Sequence, residues 1–224
     1  MVKLFFPSNN KLVFQNIKLT LVPFVICLAL FSFAEVSFTE QIKINLIGGA
    51  PLDLRPFSGN SSWKTVMNLV CDRLYNRDIT SGQLEPSLAD SYEVAADNSS
   101  FTVHLKPGLK FHNKESVTAE DVKFSFEVFR EPKIRSLSKD HLAKSISKIE
   151  ILDPLTFKMY PTDAHFFNLD VALNDYFVIP KKHYSRPKNL TSKSRLPICS
   201  GPYQVTSWTP GQAVELTRFS EWES

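Results

Sequence analysis

The sequence predicts an α/β lobe, a mixed β-sheet rich in hairpins with flanking helices, on three observations. Tyr92 and Val94 alternate with polar neighbours, Asp97-Asn98-Ser99-Ser100 supplies turn chemistry, and Phe101, Val103 and Leu105 alternate again. That is the pattern of a hairpin with one buried face. Val122, Phe126 and Phe129 then recur at helical spacing behind Thr118, a capping residue, with Glu120 and Asp121 in the first turn where the helix dipole favours negative charge. Near the end, residues 203–208 and 213–218 flank Thr209-Pro210-Gly211-Gln212, a further hairpin.

The remaining elements follow in order. Ile42, Ile44 and Leu46 alternate, predicting a first strand over 41–47 that ends at Gly48-Gly49. Pro51, Pro56, Gly59 and Asn60 make 50–62 an irregular loop. Ser61 or Ser62 can cap a helix from Trp63 to about Tyr75, with Val66, Val70 and Leu74 on one face. Asp78, Ser81 and Gly82 mark a linker into the first hairpin. After it Pro107-Gly108 turns the chain, and Leu109 and Phe111 continue as a short strand. Beyond Glu131-Pro132 a helix is expected around 141–146, then a hairpin of 148–152 and 156–160 about Asp153-Pro154. Residues 164–172 read as a short helix and 176–179 as a buried strand ending at Pro180. Most of the 18 phenylalanines are expected in core packing.

The N-terminus reads as an export signal. Lys3, Lys11 and Lys18 precede an apolar run from Leu19 to Phe33, and Ser32 and Ala34 place small residues for cleavage after Ala34. That divides the chain into a signal peptide, 1–34, and a lobe, 35–224. The run is shorter than the ~20 residues of a membrane-spanning helix, and Pro23 interrupts it. An uncleaved anchor over the same run stays open. A lipoprotein at Cys27 is disfavoured by the bulky Ile26 before it. Charge changes meaning with cleavage: 26 basic against 23 acidic side chains becomes 23 of each once Lys3, Lys11 and Lys18 are gone. The apparent basicity therefore belongs to targeting and gives no reason to expect nucleic acid as a partner. Lys181-Lys182-His183 reads as a solvated helix start.

An exported protein could form a disulfide between Cys71 and Cys199, but nothing in the sequence brings them together. Beside Met67, Val70 and Leu74, Cys71 is expected as a buried small hydrophobe. Catalytic patterns are missing: there is no Gly-x-Ser-x-Gly, no phosphate-cradling glycine loop, no His-Glu-x-x-His and no Cys-x-x-Cys. The five histidines show no metal-ligand spacing, and His104 and His112 are expected on strands at the sheet surface. No cofactor, no metal and no enzymatic activity are expected.

Two segments carry a family resemblance. Leu88-Ala89-Asp90-Ser91-Tyr92-Glu93-Val94, the strand-and-turn run 101–112 and Val117-Thr118-Ala119-Glu120-Asp121-Val122 are similar to the signature of the family 5 extracellular solute-binding proteins. Gly201-Pro202-Tyr203-Gln204-Val205, Trp208, Pro210-Gly211 and 214–218 resemble that family's second signature. The family usually has Asp-Gly where this chain has Asn113-Lys114, and lysine is ill suited to positive φ, so an altered turn is expected there.

The resemblance implies a periplasmic-binding-protein type II lobe that binds a peptide or other small solute in a crevice between lobes and delivers it to ABC permease subunits of the inner membrane. Peptide is the commonest ligand of that family. The candidate ligand-binding residues are Ser58, Gly59, Asn60 and Ser61, where Gly59 permits close backbone approach and Asn60 can pair with an amide, together with Trp208 at a strand end. Family members are more than twice as long, so the chain reads as truncated before the second lobe. A gene fragment, a disrupted frame and a short paralogue all stay open. So do two other readings of its role, a membrane-tethered envelope interaction module and a non-functional truncated remnant.

Overall fold

The computed structural model describes residues 41–44, 53–57, 61–134, 136, 139–163, 168–193 and 195–222. The predicted signal peptide, the end of the predicted first strand and the first half of the helix predicted at 164–172 lie outside them.

Nine strands and six helices are described. β4 (Ala89–Val94), β5 (Phe101–Leu105), β7 (Thr156–Pro161) and β6 (Ile146–Asp153) form a four-stranded sheet in that spatial order. β1 (Gln41–Ile44), β9 (Ala213–Arg218) and β8 (Tyr203–Thr209) form a second, and β2 (Tyr75–Arg77) with β3 (Leu84–Pro86) a small third. Helices α1 (Ser61–Val70), α2 (Ala119–Arg130), α3 (Lys139–Ser145), α4 (Leu169–Asn174), α5 (Lys181–Tyr184) and α6 (Pro187–Thr191) flank them. The expected α/β lobe of hairpins and flanking helices is what forms. Its β-structure is divided among three sheets whose described pairings are all antiparallel, so the mixture is of helices with sheets.

The three anticipated hairpins are present: β4–β5, β6–β7 and β8–β9. The face of the first differs from expectation. Phe101, Val103 and Leu105 of β5 are buried, whereas Tyr92 and Val94 of β4 stay exposed. The reason is position: β4 is an edge strand of the sheet, and Tyr92 meets Tyr75 edge-on, 5.6 Å between ring centroids.

Helix α2 starts where its cap predicts. The Asp121 carboxylate accepts hydrogen bonds from the Thr118 N–H (2.9 Å) and hydroxyl (2.7 Å) and, through its other oxygen, from the Lys181 N–H at the start of α5 (2.8 Å). One side chain thus fixes two helix starts. Val122, Phe126 and Phe129 are buried in the core.

Four expectations are corrected. Residues 176–179 are buried but pair with no strand. The Val178 N–H donates to the Asp72 carbonyl and the Ile179 N–H to Ser125 Oγ (2.8 Å), so these two donors are satisfied without a ladder. Leu109 and Phe111 are buried, yet only a single bridge, Lys110 with Ser116, forms there. The linker about Asp78 is the turn of the β2–β3 hairpin, held by Asp78 Oδ1 accepting from the Thr80 and Ser81 N–H groups. The turn at Asn113-Lys114 is kept: Lys114 itself takes φ of 66°, and the Phe111 N–H closes the loop onto the Glu115 carbonyl at 2.9 Å. A lysine in this left-handed region costs roughly 1 kcal/mol. Lys114→Gly is therefore expected to raise stability by about 0.5–1 kcal/mol in urea denaturation, less whatever the exposed Lys114–Glu221 ion pair supplies.

The largest correction concerns the cysteines. Cys71 and Cys199 are joined by a disulfide, with Cα atoms 4.9 Å apart. Helix α1 ends at Val70 instead of near Tyr75, so Cys71 leaves the helix and meets the segment that leads into β8. Gly201 presses against the same place: its N–H donates to the Val70 carbonyl at 2.9 Å. His112 completes the junction. Its backbone N–H donates to the Cys199 carbonyl (2.7 Å), its Nε2 lies 3.0 Å from the Gly201 carbonyl, and the Cys199 N–H reaches its Nδ1 at 3.4 Å. It sits in a turn with both ring nitrogens engaged, not at a sheet surface. Helix end, turn and β8 are thereby tied together.

Candidate functional site

A cleft of about 210 Å³ opens beside α1. Its walls are Phe57, Trp63, Phe129 and Phe177, each at most 6% exposed. Phe57 meets Phe129 edge-on at 6.3 Å and Trp63 meets Phe177 at 5.8 Å, so the rings brace one another in pairs. The Trp63 indole N–H is anchored on the Arg55 carbonyl at 2.6 Å. Helical spacing explains why Trp63 points inward with Val66, Met67 and Val70, all buried.

Charge enters at one side. The Arg73 guanidinium lies 4.0 Å from the centre of the Phe177 ring and donates to Asn68 Oδ1 at 3.0 Å. Burial pulls its pKa down to about 10, while the nearby Asp175 and Asp72 carboxylates favour its charged form. It stays protonated at neutral pH. Asp175 also faces the His141 imidazole, 3.5 Å away, and Lys64, Asn174 and His141 lie on the polar rim. Aromatic walls with the cations Arg73 and Lys64 and the carboxylate of Asp175 suit a small polar solute with an apolar part. The volume is below the ~300–1,000 Å³ usual for small-molecule sites. Among the described residues no cluster suited to a metal ion occurs.

Two further titratable groups are buried, Asp72 beside Arg73 and His112 at the disulfide junction. Asp72 accepts the Trp222 indole N–H at 3.0 Å, yet burial raises its pKa from 3.8 to about 6. Burial lowers His112 from 6.5 to about 4. The signs oppose. The folded protein binds the Asp72 proton more tightly than the unfolded chain does, so this group's cost is complete above pH 6 and fades as pH falls toward 3.8. The unfolded chain binds the His112 proton more tightly, so stability is lost as pH falls from 6.5 toward 4. Between pH 4 and 6 the two offset each other. Asp72→Asn, which keeps an acceptor for Trp222, is expected to gain about 2–3 kcal/mol at pH 7.5. It should also unmask the acid sensitivity that His112 confers, seen as falling urea midpoints below pH 6.5.

Of the residues singled out from sequence, Ser58, Gly59 and Asn60 lie outside the described residues. Ser61 opens α1. The chain enters that stretch at Phe57 and leaves it into Trp63, both cleft walls. Trp208 is half-buried on β8 against the core and does not line this cleft. Sequence reasoning missed Phe57, Arg73, Phe129 and Phe177 as lining residues. One signal was available: Asp72-Arg73 interrupts the apolar run 69–75, an unusual place for two charges.

Comparison with known proteins decides the family. The model for "Bacterial extracellular solute-binding proteins, family 5 Middle" matches residues 83–224. The chain belongs to this family. The glutathione-binding protein GsiB of Pectobacterium atrosepticum is 30% identical over 182 residues, covering 78% of this chain and 34% of that protein. Among solved structures, the agropinic-acid complex of AgaA from A. tumefaciens R10 superposes with a TM-score of 0.70 at 31% identity, covering 79% of this chain and 35% of that one. NikZ of Campylobacter jejuni, solved with Ni(L-His), gives 0.67 at 27% identity, covering 76% and 34%. The chain spans about a third of the length of the relatives it matches. Family members are solute-binding proteins and not enzymes, and they are periplasmic or extracellular. Among the described residues no helix is long and apolar enough to cross a membrane.

Proposed function

We propose that this chain is a substrate-binding component of an ABC importer, or one part of such a component, taking up peptides. The observation that carries the reading is the family match across residues 83–224. The aromatic cleft beside α1 supports it: ring walls would receive a side chain, and Arg73 and Asp175 would meet the charges of a peptide backbone end. Segment 58–61 would contribute at the cleft mouth and Trp208 at the end of β8. Residues 1–34 would act as a cleaved signal peptide that delivers residues 35–224 to the periplasm, where permease subunits receive the solute.

On this reading the chain supplies one side of a crevice, and an inter-lobe surface on the order of 600–1,500 Å² would face a second lobe. Affinity of the chain alone should then be no tighter than about 1 mM, roughly 4 kcal/mol. Calorimetry of the purified chain against mixed tripeptides tests this. Heats that saturate only in the millimolar range fit a one-sided crevice. Submillimolar binding contradicts the one-sided picture, and no saturable heat with any peptide contradicts the peptide reading.

A further inference from the structure

A second cleft, of about 350 Å³, lies between β8 and the segment 195–198. Its floor is apolar: Val205 is buried, Ile198 half-buried and Leu196 39% exposed. Its rim is cationic. Six basic side chains and no acidic one occur between Lys181 and Arg195. Lys181 and Lys182 are paired, with Glu120 and Glu115, at 2.7 and 2.6 Å. Arg186 and Arg195 have no carboxylate partner among the described residues, and both act on His183, which lines the cleft with Arg195 and Gln204. Burial, then the charges of Arg195 and Arg186, lower the pKa of His183; Glu115, which is itself held by Lys182 and Asn113, opposes them least. His112 closes one side but offers no free donor, its ring nitrogens being engaged with Gly201 and Cys199.

At the imidazole the charges of Arg195 and Arg186 outweigh that of Glu115, which leaves positive potential beside the apolar floor. We propose that this cleft is a binding site for a small organic carboxylate, held by Arg195 and the His183 ring with its apolar body on Leu196, Ile198 and Val205. The planar guanidinium matches a carboxylate's two oxygens. The floor favours an organic acid over a bare ion, and the concavity favours a small molecule over a flat lipid surface. The volume reaches the lower end of the usual ~300–1,000 Å³ range. This site is separate from the aromatic cleft and does not rest on the transport reading.

The test is a titration of the purified chain with N-acetyl-leucine, its neutral amide and inorganic phosphate, following the His183 Cε1–H resonance across pH. N-acetyl-leucine should bind saturably and raise the His183 pKa, because a bound anion reverses the effect of the arginines. The amide should do neither. Arg195→Gln, at an exposed position, should weaken binding roughly tenfold, and Arg186→Gln less. The proposal is overturned if the His183 pKa does not move, if the amide binds equally well, or if phosphate binds as tightly as N-acetyl-leucine, which would mean ionic attraction alone.

Discussion

Replacing both Cys71 and Cys199 by alanine is expected to lower stability by about 4–5 kcal/mol, the largest effect anticipated for this protein. The bond spans 128 residues of sequence, so it removes many conformations from the unfolded chain. Both sulfurs are also buried, at 1% and 0% exposure, and their loss leaves a void where α1 meets the approach to β8. Urea denaturation of the oxidised protein and the double variant measures the difference. Because the reduced chain gains the same freedom, adding a reductant to the wild type under denaturing conditions should reproduce most of the loss. A change below about 1 kcal/mol would mean that the junction is held by its other contacts.

Gly201→Ala is the second large effect. A Cβ there would stand 2.6 Å from the Val70 carbonyl carbon, 2.8 Å from its oxygen and 2.9 Å from the Cys71 nitrogen. All three are backbone atoms, so no side chain can rotate away. Relief requires separating β8 from the end of α1, which breaks the Gly201 N–H to Val70 carbonyl bond and disturbs the disulfide beside it. A loss of about 3 kcal/mol or more is expected, at the upper end for overpacking. Since the two sites share one junction, the losses should not add. The triple variant should cost measurably less than the sum, by ~1 kcal/mol or more. Full additivity would show that the two contacts act independently.

This junction also marks where the sequence is silent. Local signals were legible: Thr118 and Asp121 announce α2, the alternation of Phe101, Val103 and Leu105 announces β5, and Thr209-Pro210-Gly211-Gln212 announces the β8–β9 turn. Each of these depends on neighbours within a few residues. The disulfide depends on two residues 128 apart and on α1 stopping one position before Cys71, which no periodicity encodes because Leu74 continues the apolar pattern. The exposed face of β4 was illegible for a similar reason: alternation shows that two faces differ, but only the sheet order makes β4 an edge. Residues 176–179 look like a strand because four consecutive apolar side chains are buried. That their N–H groups go to Ser125 and Asp72 is a long-range fact. In the aromatic cleft, α1 was foreseen and Trp63 with it, whereas Phe57, Phe129 and Phe177 converge from three separate parts of the chain.

The chain has three tryptophans, placed so that their indole N–H signals report on different regions. Trp63 lines the aromatic cleft, Trp208 lies on β8, and Trp222 is bound to Asp72, outside the residues that line the cleft. The most direct test is to follow these three signals by nitrogen-15 NMR while adding tripeptides to 10 mM, about ten times the tightest dissociation constant expected. The account predicts a saturable shift of Trp63 with Trp222 unmoved. A Trp63 signal that stays fixed while peptide binds would place the site elsewhere and contradict it.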